Sequence, residues 1–117
     1  MKDFIKVMKA LSDPNRVKIL KMLQHRSLCV CEMQAALDIA QPTVSNHLKL
    51  LEEAGLVYSR KNGLWVNYFI SDGSGSPYVA SMLGNLKHWL KDEPEISRLI
   101  ASLSDLNREN IVRRQSA

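Results

Sequence analysis

Residues Val30–Ala54 read VCEMQAALDIAQPTVSNHLKLLEEA, and the fold turns on how this stretch divides. The spacing predicts a helix over about Val30 to Leu37, a turn at Asp38-Ile39-Ala40, and a second helix from about Gln41 to Ala54. Pro42 is tolerated in the first turn of the second helix, and Gly55 suits the position just past its end. Ala40 is a poor N-cap, so this helix start is weakly specified. Two short helices joined by a tight turn make a helix-turn-helix candidate. At about 100° per residue, Val44, Leu48 and Leu51 fall on one side of the second helix. Pro42, Ser45, Asn46 and Lys49 fall on the other. The outward set is small, polar or basic, which suits a helix that enters a major groove and reaches base edges. Gln41 and Thr43 lie in the first turn, where free N–H groups and the positive helix end favour a phosphate. His47, on the flank, reads as a packing or phosphate-contact residue rather than a metal ligand.

Downstream the period changes. Leu56 to Arg60 is a strand candidate, Lys61-Asn62-Gly63 a turn, and Leu64 to Ile70 a second strand rich in aromatic and β-branched residues. Together they make a two-stranded hairpin with Arg60 and Lys61 at its tip. A basic tip beside a reading helix is a wing that touches backbone phosphate or a minor groove. Ser71 to Ser76 is a loop. Pro77 opens a helix to about Lys91, and Pro94 starts a last one that carries Glu95 to Leu106.

Upstream, Asp3 to Ala10 reads as a short amphipathic helix with Phe4, Ile5, Met8 and Leu11 at one-turn spacing. Asp13 is a good N-cap and Pro14 a good first residue for a helix to about His25. Its apolar side is Val17, Leu20, Met22 and Leu23; Arg16, Lys18 and Lys21 supply charge. A break at Arg26 to Leu28 follows. The fold class is therefore mainly α with a small β-hairpin: a winged helix-turn-helix in the order α-α-α-α-β-β-α-α. Residues 1–112 form a single DNA-binding and dimerisation domain, and 113–117, the end of a polar stretch from Arg108, a disordered tail.

The chain has 117 residues, 45% of them apolar, and a formal net charge of +4. That is one domain with a real core, and its basic balance permits nucleic acid as a partner. No apolar run of about 18 residues is present, so no transmembrane helix and no membrane partner is expected. Met1 to Leu11 lacks the run of a secretory signal, and two cysteines close together cannot staple distant segments, so the cytoplasm is the expected compartment. There is no Gly-rich phosphate loop, no hydrolase His pair and no nucleophile triad, which argues against an enzyme.

Cys29-Val30-Cys31 is the sharpest chemical signal, since thiolates are the preferred ligands of soft ions. Residues two apart in a regular helix point about 200° apart, so these sulfurs are not expected to converge unless the helix start unwinds or shifts. Such a shift would move the helix from Gln41 packed against it. A second use of the pair is redox: it could oxidise to a strained disulfide and report oxidants instead.

Ser12-Asp13-Pro14-Asn15-Arg16 leading into Ile19-Leu20, the segment Gln41 to Leu51, Glu53-Ala54-Gly55-Leu56-Val57 and the strand Trp65 to Phe69 resemble the ArsR/SmtB winged-helix repressors. The resemblance covers Met1 to Ile70 closely and the last helices loosely. It implies a homodimer that represses its own operon on double-stranded operator DNA, with inducer lowering DNA affinity. By position Gln41, Pro42, Ser45 and Asn46 match the family's reading residues, although Pro42 lacks the hydroxyl donor many relatives carry there.

Leu28-Cys29-Val30-Cys31-Glu32 resembles the arsenic-responsive branch. This implies trivalent arsenic as inducer (arsenite or an organic trivalent arsenical, with antimonite a further candidate) and no organic cofactor. Some relatives add a third cysteine where this chain has Gln34. The third arsenic ligand would then be a small thiol, water, hydroxide or an organic substituent. The paired Asp/His zinc ligands of related sensors are absent from the helix at Pro77, which offers His88 alone.

Two-fold DNA reading needs a dimer. Its expected interface takes Phe4, Met8, Met82, Leu86 and Trp89. Competing readings are a family repressor with a thiol redox switch or an organic ligand, and a winged-helix module that binds protein. The latter would show no salt-dependent duplex affinity.

Overall fold

The computed structural model describes residues 1–106. The order is α1 (Lys2–Ala10), α2 (Pro14–Leu23), β1 (Leu28–Cys29), α3 (Val30–Leu37), α4 (Gln41–Glu53), β2 (Val57–Asn62), β3 (Trp65–Ile70), α5 (Pro77–Leu86) and α6 (Pro94–Ser102), closed by a 3-10 turn at Leu103–Asp105. This is the mainly α fold with a winged helix-turn-helix that the sequence predicts. The expected tail boundary at 112–113 lies outside the described residues.

The helix starts follow their caps. Asp13 has an extended backbone, and its Oδ1 accepts from the backbone N–H of Asn15 at 2.8 Å and of Arg16 at 3.1 Å. Partial burial pushes the Asp13 carboxyl up, but those two N–H donors, with His47 and Arg16 nearby, outweigh it and hold the carboxyl below its ordinary value. At the far end of α4, Gly55 takes φ +79°. The Leu56 N–H then reaches Leu51 O at 3.0 Å and the Gly55 N–H reaches Glu52 O at 3.0 Å, the paired bonds of a Schellman stop. Leu51 and Leu56, the two ends of that motif, are both fully buried. The core gathers Ile19, Leu20, Met22, Leu28, Met33, Val44 and Leu48 around them.

Five expectations are corrected. The break after α2 begins at Gln24 rather than after His25, and it contains a strand. The sheet has three strands in the order β1-β3-β2, all antiparallel, instead of a two-stranded hairpin. A two-residue strand has no periodicity to read; only its partner β3 reveals it.

The hairpin turn is Gly63-Leu64, because Asn62 pairs with Trp65 and Lys61 with Val66. Gly63, at φ +61°, occupies the first central position, where hairpin turns favour glycine.

The helix from Pro77 ends at Leu86, not Lys91, and Leu90 adopts φ +66°. Lys21 of α2 and Gln24, the residue that caps its C-terminus, take the carbonyls at that end. Lys21 Nζ donates to Leu86 O at 2.7 Å and Trp89 O at 2.9 Å, and Gln24 Nε2 donates to Leu83 O at 2.9 Å. Lys21, one of the charges the sequence puts on this helix, is thus only 4% exposed. Burial, with Lys91 nearby, pulls its ammonium below its ordinary range.

Lastly, the helix from Pro94 gives way to the 3-10 turn instead of running to Leu106. Lys18 of α2 pairs with Glu95 in its first turn.

Candidate nucleic-acid interface and thiol pair

On α4, Gln41, Pro42, Thr43, Ser45, Asn46 and Lys49 are all exposed, while Val44, Leu48 and Leu51 are fully buried. The helical-wheel division therefore holds in three dimensions. Its start offers fewer donors than expected: Pro42 has no N–H, and the Thr43 N–H already donates to Ala40 O at 3.1 Å. His47, on the flank, takes the packing role rather than the phosphate contact. It is 8% exposed and turned toward α2, with Nδ1 3.3 Å from Arg16 Nη1 and Nε2 4.0 Å from Asp13 Oδ1. It packs beneath the exposed polar face of α4.

Arg60 and Lys61 are exposed on β2, set back from the tip, which Leu64 occupies. The Arg60 guanidinium lies 5.4 Å from the centroid of Tyr58, itself stacked on Phe69 at 5.2 Å. Such cation–ring packing holds the charge near the wing surface without neutralising it.

The cysteine pair is arranged differently from the helical expectation. Cys29 is not inside α3 but is its N-cap, with an extended backbone (φ −92°, ψ 169°). An N-cap side chain folds back over the first turn, where Cys31 stands. The two sulfurs therefore converge, 2.8 Å apart, one thiol donating to the other, and no unwinding is needed. Cys29 is 3% exposed and Cys31 is half-buried; neither is in a disulfide.

Glu32 completes the site. One carboxylate oxygen accepts from the Cys29 N–H at 3.0 Å, the other from Arg26 Nη2 at 2.8 Å, and Arg26 also donates to Leu106 O at 2.9 Å. Burial first, then the Cys31 hydrogen bond and the Glu32 charge, push the Cys29 thiol up to about 12. Cys29 also pairs with Asn67 of β3, so the thiol site is built into the wing sheet. Sequence reasoning missed Arg26 and Glu32. The only available sign was an acidic residue three positions after the cap, the spacing of a capping box.

Among the described residues no group of three or more His, Cys, Asp or Glu side chains is placed to hold a metal ion. Gln34 is half-buried, and His25 and His88 are exposed. Of the residues expected at a dimer interface, Phe4 and Trp89 are exposed, Trp89 at 48%, and Met8 and Met82 are half-buried. Phe4 meets Tyr78 edge-on at 5.4 Å between ring centroids, joining α1 to α5. Leu86 lies in the core of the protomer, 5% exposed. Trp89, expected on the helix from Pro77, lies beyond its end. Among the described residues no helix is long and apolar enough to cross a membrane.

A helical scaffold, a helix with one exposed polar face and an adjoining three-stranded sheet define a winged helix-turn-helix regulator that binds DNA, not a catalytic fold. The family model described as "Bacterial regulatory protein, arsR family" matches residues 13–59. An arsenical resistance operon repressor of Escherichia coli is 33% identical over 106 residues, covering 88% of this chain and 86% of its own length. An HTH-type transcriptional regulator of Methanocaldococcus jannaschii, MJ1325, is 46% identical over 67 residues, 56% of this chain and 75% of its own. Among solved structures, HlyU from Vibrio cholerae superposes with a TM-score of 0.65 at 31% identity, over 76% of this chain and 92% of that one. The chain belongs to the arsR family of bacterial regulatory proteins. The names of the archaeal relative and of HlyU do not mention arsenic, so the likeness reaches the family and stops short of its arsenic-responsive branch.

Proposed function

We propose that this chain is a homodimeric repressor whose affinity for double-stranded operator DNA is set by closure of the Cys29–Cys31 sulfur pair. Gln41, Pro42, Thr43, Ser45, Asn46 and Lys49 face the operator, and Arg60 and Lys61 face backbone phosphate. Phe4, Met8, Met82 and Trp89 supply the interface, with Leu86 beneath it. The observation that carries the reading is the 2.8 Å approach of the two sulfurs at the cap of the helix that precedes the reading helix. Closing the pair changes the start of α3, which packs against α4 and is laddered to β3. A coupling of about 1–3 kcal/mol per site is enough to release an operator usefully.

Two closures fit. The lack of a third protein ligand among the described residues supports a thiol redox switch better than a metal centre. A peroxide would meet the more exposed Cys31 first and oxidise it to a sulfenic acid, releasing one water. The Cys29 thiol then displaces a second water and forms the S–S bond, so two thiols supply the two electrons that reduce one hydrogen peroxide.

The other closure is by trivalent arsenic, supported by the names of the arsenical relatives and by proton balance. Arsenous acid brings its own hydroxides: two thiols and one As(OH)3 give a dithiolate As–OH and two waters with no net proton release. A bare divalent cation must instead expel both thiol protons, which a thiol raised to about 12 resists. The remaining position on arsenic would be a hydroxide, a small thiol or an organic substituent.

Promoter-duplex titrations of wild type, Cys29→Ser and Cys31→Ser, each with peroxide, arsenite or neither, test this. Release by peroxide alone supports the redox switch, and release by arsenite alone supports the metalloid. Both should vanish in either variant while DNA binding persists. Release that survives in both serine variants would sink the thiol reading.

A further inference from the structure

His47 interrupts the exposed face of α4, and its environment explains why. Arg16 reaches three acceptors with one guanidinium: His47 Nδ1 at 3.3 Å through Nη1, Ala10 O at 2.8 Å through Nε, and Lys9 O at 3.1 Å through Nη2. The two carbonyls are at the C-terminal, negative end of α1, where a cation is favoured. Asp13, the cap of α2, stands 4.0 Å from the other ring nitrogen of His47. The end of α1, the start of α2 and the middle of α4 are therefore joined at one point. The planar fork of arginine can serve three acceptors in fixed directions, whereas a lysine ammonium offers no such fork.

We propose that Arg16 and His47 are positioning residues for DNA reading: they set the orientation of α4 against α1 and do not themselves contact DNA. This rests on the repressor reading above. α1 carries Phe4 and Met8 of the assigned dimer interface, so the latch references each reading helix to the dimer. Base-edge contacts depend on that orientation; phosphate attraction, the sequence-independent part of affinity, does not.

The test uses the full chain with two duplexes: the promoter region upstream of its own gene, and a scrambled duplex of equal composition and length. Binding is measured over a salt series for wild type, Arg16→Gln, Arg16→Lys, His47→Gln and His47→Asn, with circular dichroism and sedimentation on each. Asn keeps an acceptor near the Nδ1 position; Gln places its carbonyl further out.

Arg16→Gln, Arg16→Lys and His47→Gln should lose roughly tenfold on the promoter duplex and under about twofold on the scrambled one, with the salt slope unchanged. His47→Asn should stay near wild type, which keeps the proposal testable even if an Arg16 variant fails to fold. Equal loss on both duplexes with a slope smaller by about 0.9 would identify a phosphate contact instead and overturn the proposal. So would an equal loss in His47→Asn and His47→Gln. A wild-type chain that treats both duplexes alike overturns the repressor reading and this role with it. A wild-type preference that survives in Arg16→Gln and His47→Gln overturns the positioning role alone.

Discussion

The two helices of the helix-turn-helix begin in opposite ways. α3 starts in a buried, fully engaged corner: its cap is a cysteine, its cap N–H is held by Glu32, and its preceding strand is paired to the wing. α4 starts in the open, with Ala40 as a cap that makes no side-chain hydrogen bond and Pro42 in place of a donor. In the repressor proposed above, the difference separates two jobs. A start that must register chemistry on a sulfur pair needs its backbone tied to the rest of the fold, so that a small displacement is transmitted. A start that must meet a duplex has to leave its small side chains free and unobstructed.

The contrast is easiest to break at the thiols. With iodoacetamide near neutral pH, Cys31 should be modified and Cys29 should lag by roughly tenfold or more, because the thiolate is the reactive form and Cys29 is buried with its thiol raised. Peptide mass mapping over time measures this, and equal rates would remove the claim that the cap sulfur is sheltered. The same shift has a stability sign. Between the ordinary value of 9.0 and about 12 the unfolded chain gives up this proton while the folded one keeps it. Stability present below pH 9 should therefore fall as pH rises through that window, and less steeply in Cys29→Ser.

Next in size is Glu32→Ala. It strips the acceptor from the buried Cys29 N–H and leaves Arg26 without its carboxylate, and should cost about 2 kcal/mol in urea unfolding at fixed protein concentration. Glu32→Gln keeps one acceptor and should cost less. If Ala and Gln cost the same, the start of α3 is not held as described.

Gly55→Ala tests the far end of α4. An added Cβ meets Val79 Cγ2 at an ordinary 3.9 Å, so the expected loss of about 1 kcal/mol comes from the φ of +79° alone. A neutral result would mean that the Schellman stop does not depend on glycine.

The smallest effect sharpens the contrast. Ala40→Asp supplies the missing cap to a backbone already extended (φ −66°, ψ 145°) and should stabilise by about 0.5–1 kcal/mol. It should also weaken duplex binding, because a carboxylate now occupies the open helix start. Stabilisation with tighter duplex binding would contradict the view that this start faces phosphate.

Local signals were legible where one residue decides the outcome. Asp13-Pro14, the Val44–Leu48–Leu51 stripe and Gly55 each act within one or two turns of their own helix, and the structure keeps all of them. Misreadings cluster where a distant partner decides. Lys21 reads in sequence only as one of the charges of α2, because its acceptors, the carbonyls of Leu86 and Trp89, lie far along the chain. The same contact lies at the end of α5, beyond which Trp89 falls. β1 needed β3.

What the sequence determined by itself was the helices and the hairpin, the face α4 buries and the adjacency of two thiols, because capping and periodicity are short-range. Whether those thiols face each other was decided by tertiary structure. The strand pairing of Cys29 with Asn67 and the grip of Glu32 place the residue outside the helix, and only there can its sulfur fold back onto that of Cys31.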